Sequence, residues 1–180
     1  MRRARAALRL ARAVAHGVQG LCVVLFVFPR LDEPARHERI RRWSLALLQS
    51  LGIRLEATGE PARGGSLLVA NHVSWLDIMA IHAVAPHARF VSKADVKGWP
   101  LVSRLVDSAG TLYLQRERKR DALRVVHAMA SALQGGDTVA IFPEGTTSTG
   151  HTLLPFHANL LQAAIATATP VQPVALRYSD

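Results

Sequence analysis

The sequence predicts an α/β domain, a mainly parallel sheet flanked by helices, preceded by an N-terminal pair of membrane-associated helices. Three observations predict it. From residue 64 onward, short β-rich runs alternate with segments of helical period, the pattern of strands joined by crossover helices. At the N-terminus, five arginines precede an apolar segment bounded by Arg12 and Arg30. The composition is 49% hydrophobic and 19% charged with a mean hydropathy of +0.15, oily for a soluble domain yet short of a multi-span membrane protein. At 180 residues the chain accommodates one α/β domain, assigned to residues 51–180, behind a basic and apolar helical segment, residues 1–50.

The first segment, "MRRARAALRLARAVAHGVQGLCVVLFVFPRLD", carries Arg2, Arg3, Arg5, Arg9 and Arg12 ahead of its apolar stretch. No small-residue cleavage site follows, because "FPRLDEPAR" is bulky, charged and broken by proline, so a cleaved leader is not expected. A single span lies at the short limit, diluted by His16, Gly17, Gln19 and Gly20. Arg30, Arg36, Arg39, Arg41 and Arg42 on the far side balance the first arginines, so charge gives no preferred orientation. The expectation is an interfacial or re-entrant helix with both ends on one face. A second amphipathic helix, from about Glu33 to Gln49, would offer Trp43, Leu45, Leu47 and Leu48 to the bilayer boundary.

The domain then reads "SLLVA", "SWLDIMAIHAVA", "ARFVS", "PLVSRLVDSA", "GTLYLQ", "RDALRVVHAMASALQGG", "TVAIFP", "LLPFHANLLQAAIATAT" and "VQPVALRY", strand and helix in alternation. The best-marked helix has Asp121 as N-cap, a stripe of Leu123, Val126, Ala130 and Leu133, and Gly135-Gly136 as its stop. No internal repeat or low-complexity tract is present.

With 22 Lys+Arg against 13 Asp+Glu, the net charge of +9 favours an anionic membrane, an acidic partner, a phosphorylated substrate or nucleic acid. Nucleic acid ranks last, since no aromatics are interleaved with the arginines and no recognition motif is present. Cys22 is the only cysteine and its setting is apolar, which excludes an intrachain disulfide and a Cys-based zinc site and disfavours a reactive thiol. A reducing, cytoplasmic compartment is compatible. His72, Asp77, His82 and His87 lack metal-ligand spacing, so no metal is expected.

The chemistry is concentrated in "NHVSWLD". Residues five apart on a continuous helix are rotated by about 140°, so His72 and Asp77 meet only if a break separates them. Ser74 supplies one: Ser-Trp-Leu-Asp reads as a capping box, with Ser74 at N-cap and Asp77 at N3. His72 then sits in the loop ahead of the helix, where the Asp77 carboxylate can fix its tautomer and leave the other ring nitrogen as a base. The bland alternative is a cap with an uninvolved histidine in front of it. No G-x-S-x-G elbow exists, so a substrate hydroxyl is the natural nucleophile for such a base, attacking an acyl thioester without a covalent enzyme intermediate.

Two further stretches carry phosphate-binding potential. "TVAIFPEGTTS" runs a buried strand into a turn at Pro143-Glu144-Gly145, where Gly145 permits close approach of backbone N–H groups and Thr146, Thr147 and Ser148 add donors. "GTLYLQRERKRD" places Arg116 after a strand end, followed by Arg118, Lys119 and Arg120, and arginine suits bidentate phosphate binding.

Together these stretches resemble the glycerolipid acyltransferase family with the H-x4-D motif, whose best-known members are bacterial 1-acyl-glycerol-3-phosphate acyltransferases. "NHVSWLD" is similar to the family's N-H-x-S-x-x-D block, which implies His72 as base and Asp77 as its partner. "GTLYLQR" resembles the second block, with Arg116 implied to bind the acceptor phosphate, and "FPEGTTS" resembles F-P-E-G-T-R-S, implying Glu144, Gly145, Thr146 and Thr147 in substrate binding. "VQPVAL" resembles the fourth block and would bring Pro173 near the site, while "VSKADVKGWP" offers Lys93 for anion contact.

The resemblance implies transfer of a fatty acyl group from acyl-CoA or acyl-carrier protein, used as substrate with no cofactor, to a lysolipid hydroxyl among membrane lipids. The site would be the cytoplasmic face of the inner membrane, monotopic or single-span. The expected acceptor is 1-acyl-glycerol-3-phosphate, giving phosphatidic acid. Thr147 stands where the family has arginine and Gln115 where it has an acidic residue, which admits another lysolipid such as an amino-acid-containing one. A non-catalytic anionic-membrane binder and a lysophospholipase are the other readings. The chain stops earlier than similar proteins do, so a C-terminally incomplete domain is expected.

Overall fold

The computed structural model describes residues 2–62, 64–93, 98, 100–114 and 119–179. Helix α1 (Arg2–Phe26) leads through one 3-10 turn (Phe28–Arg30) into α2 (Glu33–Ser50). Asp32 caps α2 by accepting from the Ala35 amide at 3.0 Å, and Glu33 adds a carboxylate at the positive end of the dipole. The two helices are clasped at mid-length. The His16 and Trp43 rings stack at 4.9 Å, His16 Nε2 donates to the Trp43 carbonyl at 2.9 Å, and Trp43 Nε1 donates to the His16 carbonyl at 3.1 Å. Gly20 permits this approach, since a Cβ there would lie 2.5 Å from Trp43 Nε1.

That packing corrects the expectation for α2. Leu47 and Leu48 are buried, Trp43 and Leu45 are half-buried, and the helix lies against α1 and α3, so its apolar face is used up inside the protein. The outward apolar stripe belongs to α1, where Leu10, Val14, Val18, Leu25 and Phe26 are exposed. The stretch Ala7–Arg30 is long and apolar enough to cross a membrane. Because α1 runs unbroken, it lacks the reversal that a re-entrant segment needs.

Five strands follow, β1 (Ser66–Ala70), β2 (Arg89–Lys93), β3 (Leu112–Leu114), β4 (Thr138–Ile141) and β5 (Val171–Val174). Every pairing among them is parallel, in the order β3-β2-β4-β1-β5. The connecting helices are α3 (Leu76–Val84), α4 (Pro100–Ser108), α5 (Lys119–Gln134) and α6 (Gln162–Thr167). The sheet is covered on both faces, which is why β1 and β4 are apolar at successive positions rather than alternate ones. Leu67, Val139 and Ile141 pack under α5 and α6, whereas Leu68, Ala70, Phe90 and Ala140 pack against Ile81 and Ala85 beneath α3.

Two helical expectations shift. The buried stripe of α5 is Val125, Met129, Ala132 and Leu133, while Leu123 is 61% exposed. The helix begins at Lys119, so Asp121 lies within its first turn instead of capping it. After β4, residues 153–157 form a loop, and helix resumes only with a 3-10 turn (Ala158–Leu161) before α6.

This topology opens the site. After β1 the chain passes β4 to reach β2, and after β4 it passes β1 to reach β5. Two neighbouring strands whose connections leave in opposite directions create a crevice at their C-terminal ends, the usual place for a ligand in an open α/β sheet. "NHVSWLD" follows β1 and "FPEGTTS" follows β4, so both flank that crevice.

Candidate active site

The loop after β1 folds onto one carboxylate. Asp77 is fully buried at the start of α3, and its Oδ2 accepts from Val73 N at 2.6 Å, Ser74 N at 2.9 Å and His72 Nδ1 at 2.8 Å. Ser74 Oγ in turn accepts from Leu76 N at 3.2 Å, so serine and aspartate cap the helix reciprocally. The other oxygen, Oδ1, accepts from the Tyr178 hydroxyl at 2.5 Å. Burial pushes the Asp77 carboxyl up, but the bonds from His72, Tyr178, Ser74 and Val73 outweigh it and hold the group below the usual carboxylate range.

An ionised carboxylate only accepts, so the network assigns the proton to Nδ1 of His72 and leaves Nε2 with its lone pair. Among the described residues nothing bonds Nε2, and the side chain retains 17% exposure. The ring is stacked on Phe142, at 4.0 Å between centroids and 14° between planes. Its backbone is held from the neighbouring loop: His72 N donates to Glu144 Oε1 at 2.7 Å, and the His72 carbonyl accepts from Ser148 N at 2.8 Å. The loops after β1 and β4 therefore fix the imidazole in main chain, ring face and Nδ1 at once.

Of the residues singled out in the sequence, His72, Asp77, Glu144 and Gly145 come together here. Glu144 is buried, and its second oxygen accepts from Leu154 N at 2.9 Å, so both oxygens of this expected substrate ligand face backbone amides. Gly145 takes φ +67°, and its N–H closes the turn onto the Phe142 carbonyl at 3.0 Å instead of reaching outward. Thr146 and Thr147 are exposed on the same loop. Pro173 is exposed on edge strand β5 and pairs with Val69, which packs toward α5 and α6. Lys93 ends β2 in register with Leu114, and Arg116 lies outside the described residues.

Sequence reasoning missed two residues. Tyr178 reaches Asp77 from 101 positions downstream, and Asn71 brackets the Leu176 backbone, donating from Nδ2 to its carbonyl at 2.9 Å and accepting its N–H at 2.7 Å. The asparagine beside His72 was visible in the motif, but nothing local to either residue announces its partner.

The sequence matches the protein family described as Acyltransferase over residues 53–177. It is 39% identical over 184 residues to a lyso-ornithine lipid O-acyltransferase of Pseudomonas aeruginosa, covering 99% of this chain and 70% of that protein. It is 42% identical over 149 residues to a 1-acyl-sn-glycerol-3-phosphate acyltransferase of Neisseria meningitidis, covering 81% of this chain and 58% of that protein. The fold matches the crystal structure of the 1-acyl-sn-glycerophosphate acyltransferase PlsC from Thermotoga maritima with a TM-score of 0.70 at 23% identity, over 91% of this chain and 73% of that one.

Proposed function

This chain belongs to the Acyltransferase family, and from that premise we propose that it transfers a fatty acyl group from a thioester to the free hydroxyl of a lysolipid. The observation that carries the reading is the His72 Nδ1 to Asp77 Oδ2 bond of 2.8 Å beside an unengaged Nε2. Nε2 takes the proton of the acceptor hydroxyl as its oxygen attacks the thioester carbonyl carbon. The buried Asp77 stabilises the imidazolium so formed. Collapse of the tetrahedral species breaks the C–S bond, and the proton passes from Nε2 to the departing thiolate, leaving an ester and a free thiol. Glu144 positions the base by holding its backbone. The hydroxyls of Thr146 and Thr147, with Arg116, supply head-group contacts, and Lys93 is a further anion contact. The donor is acyl-CoA or acyl-carrier protein, and the enzyme works at the cytoplasmic face of the inner membrane.

For the acceptor, 1-acyl-glycerol-3-phosphate is the first reading, supported by the similarity to the neisserial 1-acyl-sn-glycerol-3-phosphate acyltransferase. A lyso-ornithine lipid is the second, favoured by Thr147 in place of a guanidinium and by the relative that aligns with 99% of this chain. Incubating the full chain on vesicles with acyl-CoA or acyl-carrier-protein thioesters and both lysolipids, read by mass spectrometry, separates them. Diacyl product from neither acceptor, with the protein folded, refutes the proposal. Thr147→Arg should raise use of 1-acyl-glycerol-3-phosphate relative to the ornithine lipid.

A further inference from the structure

A carboxylate that orients a base must itself be held, and at Asp77 the holding is asymmetric. Oδ2 carries three donors, all from its own loop. Oδ1 is held by the Tyr178 hydroxyl, from a segment beyond β5. The carboxylate torsion is soft, and Asp77 is fully buried while the tyrosine that bonds it is 44% exposed.

The segment carrying the tyrosine is itself built in. Ala70 pairs with Val174 at the end of the β1–β5 ladder. One step further, the Asn71 side chain takes over, bonding both the N–H and the carbonyl of Leu176 at 2.7 and 2.9 Å. Val174 and Leu176 both pack against the core beneath α3, and Tyr178 is the next residue at that two-residue spacing, which directs it toward the start of α3.

We infer that Tyr178 is a positioning residue for acyl transfer: its phenol pins Oδ1 so that Oδ2 stays on His72 Nδ1, and Asn71 fastens the segment that carries it. This rests on the reading of His72 as the base. Burial, then the bond to Asp77 and its negative charge, push the Tyr178 phenol up, so it remains a donor across neutral pH.

The test is Tyr178→Phe in the full chain on vesicles, with acyl-CoA and the faster of the two lysolipids, beside His72→Ala and the exposed neighbour Arg177→Ala as control. The expected result is a kcat lowered about tenfold or more with both KM values within about twofold. The acidic limb of kcat/KM should move upward, because a carboxylate relieved of one donor binds the imidazolium proton more strongly. An unmoved limb with unchanged kcat, while His72→Ala is inactive, overturns this inference alone; wild-type turnover in His72→Ala overturns the base assignment beneath it.

A second measurement does not depend on activity. Tyr113 and Tyr178 are the only tyrosines, so fluorotyrosine incorporated into a Tyr113→Phe chain reports Tyr178 by itself. Its 19F resonance should shift on Asp77→Asn. A resonance indifferent to that change shows that the bond is absent and sinks the inference.

Discussion

Asp77 serves two structures at once, and substitutions at residue scale should separate them. It caps α3 through Val73 and Ser74, and it orients His72 through the same oxygen. His72→Ala removes the base, so turnover should fall by about 10² to 10⁴ in a protein that still folds, with the thermal midpoint lowered by the lost Phe142 stacking and the lost bond to Asp77. Asp77→Asn should lose activity through the wrong tautomer, and Asp77→Ala should lose activity and at least about 1 kcal/mol of stability, read by denaturant titration. Near wild-type turnover in His72→Ala would sink the assignment. The dyad was legible because its parts lie within seven residues, and a capping box is a local pattern. Tyr178 and Asn71 were not, because their partners lie 101 and 105 positions away and only the β1–β5 pairing brings them together.

At the scale of elements, α2 and α3 each bury a polar side chain with a measurable consequence. Among the described residues Ser44 Oγ, fully buried on α2, has no partner. A buried hydroxyl without a bond costs about 1 to 3 kcal/mol, so Ser44→Ala should raise the denaturant midpoint; a loss of stability would show that the hydroxyl is in fact engaged. On α3, His82 is buried edge-on to Phe90 and donates from Nε2 to the Ala88 carbonyl at 3.1 Å. Burial lowers its pKa from 6.5 to about 4, only partly offset by that bond, with a smaller lowering from His37. The unfolded chain thus takes up this proton first. The stability is complete above pH 6.5 and declines as pH falls toward 4, by about 3 kcal/mol. His82→Gln should reduce that decline between pH 7.5 and 4.5, leaving the part due to His87, whose pKa burial also lowers, and the loss tied to Asp77, whose depressed pKa places it below the ordinary carboxylate value of 3.8. Helix identity was legible for α5 from its period and its glycine stop. Its buried face is rotated by about a quarter of a turn from the expected stripe, because Leu123 and Val125 are equally apolar and only the docking against the sheet selects between them.

For the whole molecule, the parallel sheet was readable from alternation and from strands apolar on both faces, but the strand order that places the dyad at a crevice was not, since it depends on which distant strands pair. The same is true of α1, whose length alone leaves its relation to a membrane open. At about 1.5 Å per residue α1 spans roughly 37 Å, enough to cross a hydrocarbon layer of about 30 Å. Crossing would carry α2 along, because His16 at the middle of α1 is bonded on both sides to Trp43. Within about a turn and a half of Trp43 lie Glu38, Arg41 and Arg42, joined by bonds of 2.5 to 2.8 Å. Arg41 and Arg42 hold the Glu38 carboxyl down at about 2, and carrying such an ion cluster out of water to mid-bilayer depth is strongly unfavourable. A helix lying in the interface avoids that cost and buries the stripe of Leu10, Val14, Val18, Leu25 and Phe26 in the acyl boundary. Accessibility tags at residue 1 and after Arg30 should therefore be found on the same face of the membrane; tags on opposite faces would establish a crossing. Deleting α1 is the poorer test, because it uncovers Trp43. Replacing Leu10, Val14 and Val18 by serine keeps the clasp, and should release the protein from vesicles with its circular dichroism unchanged.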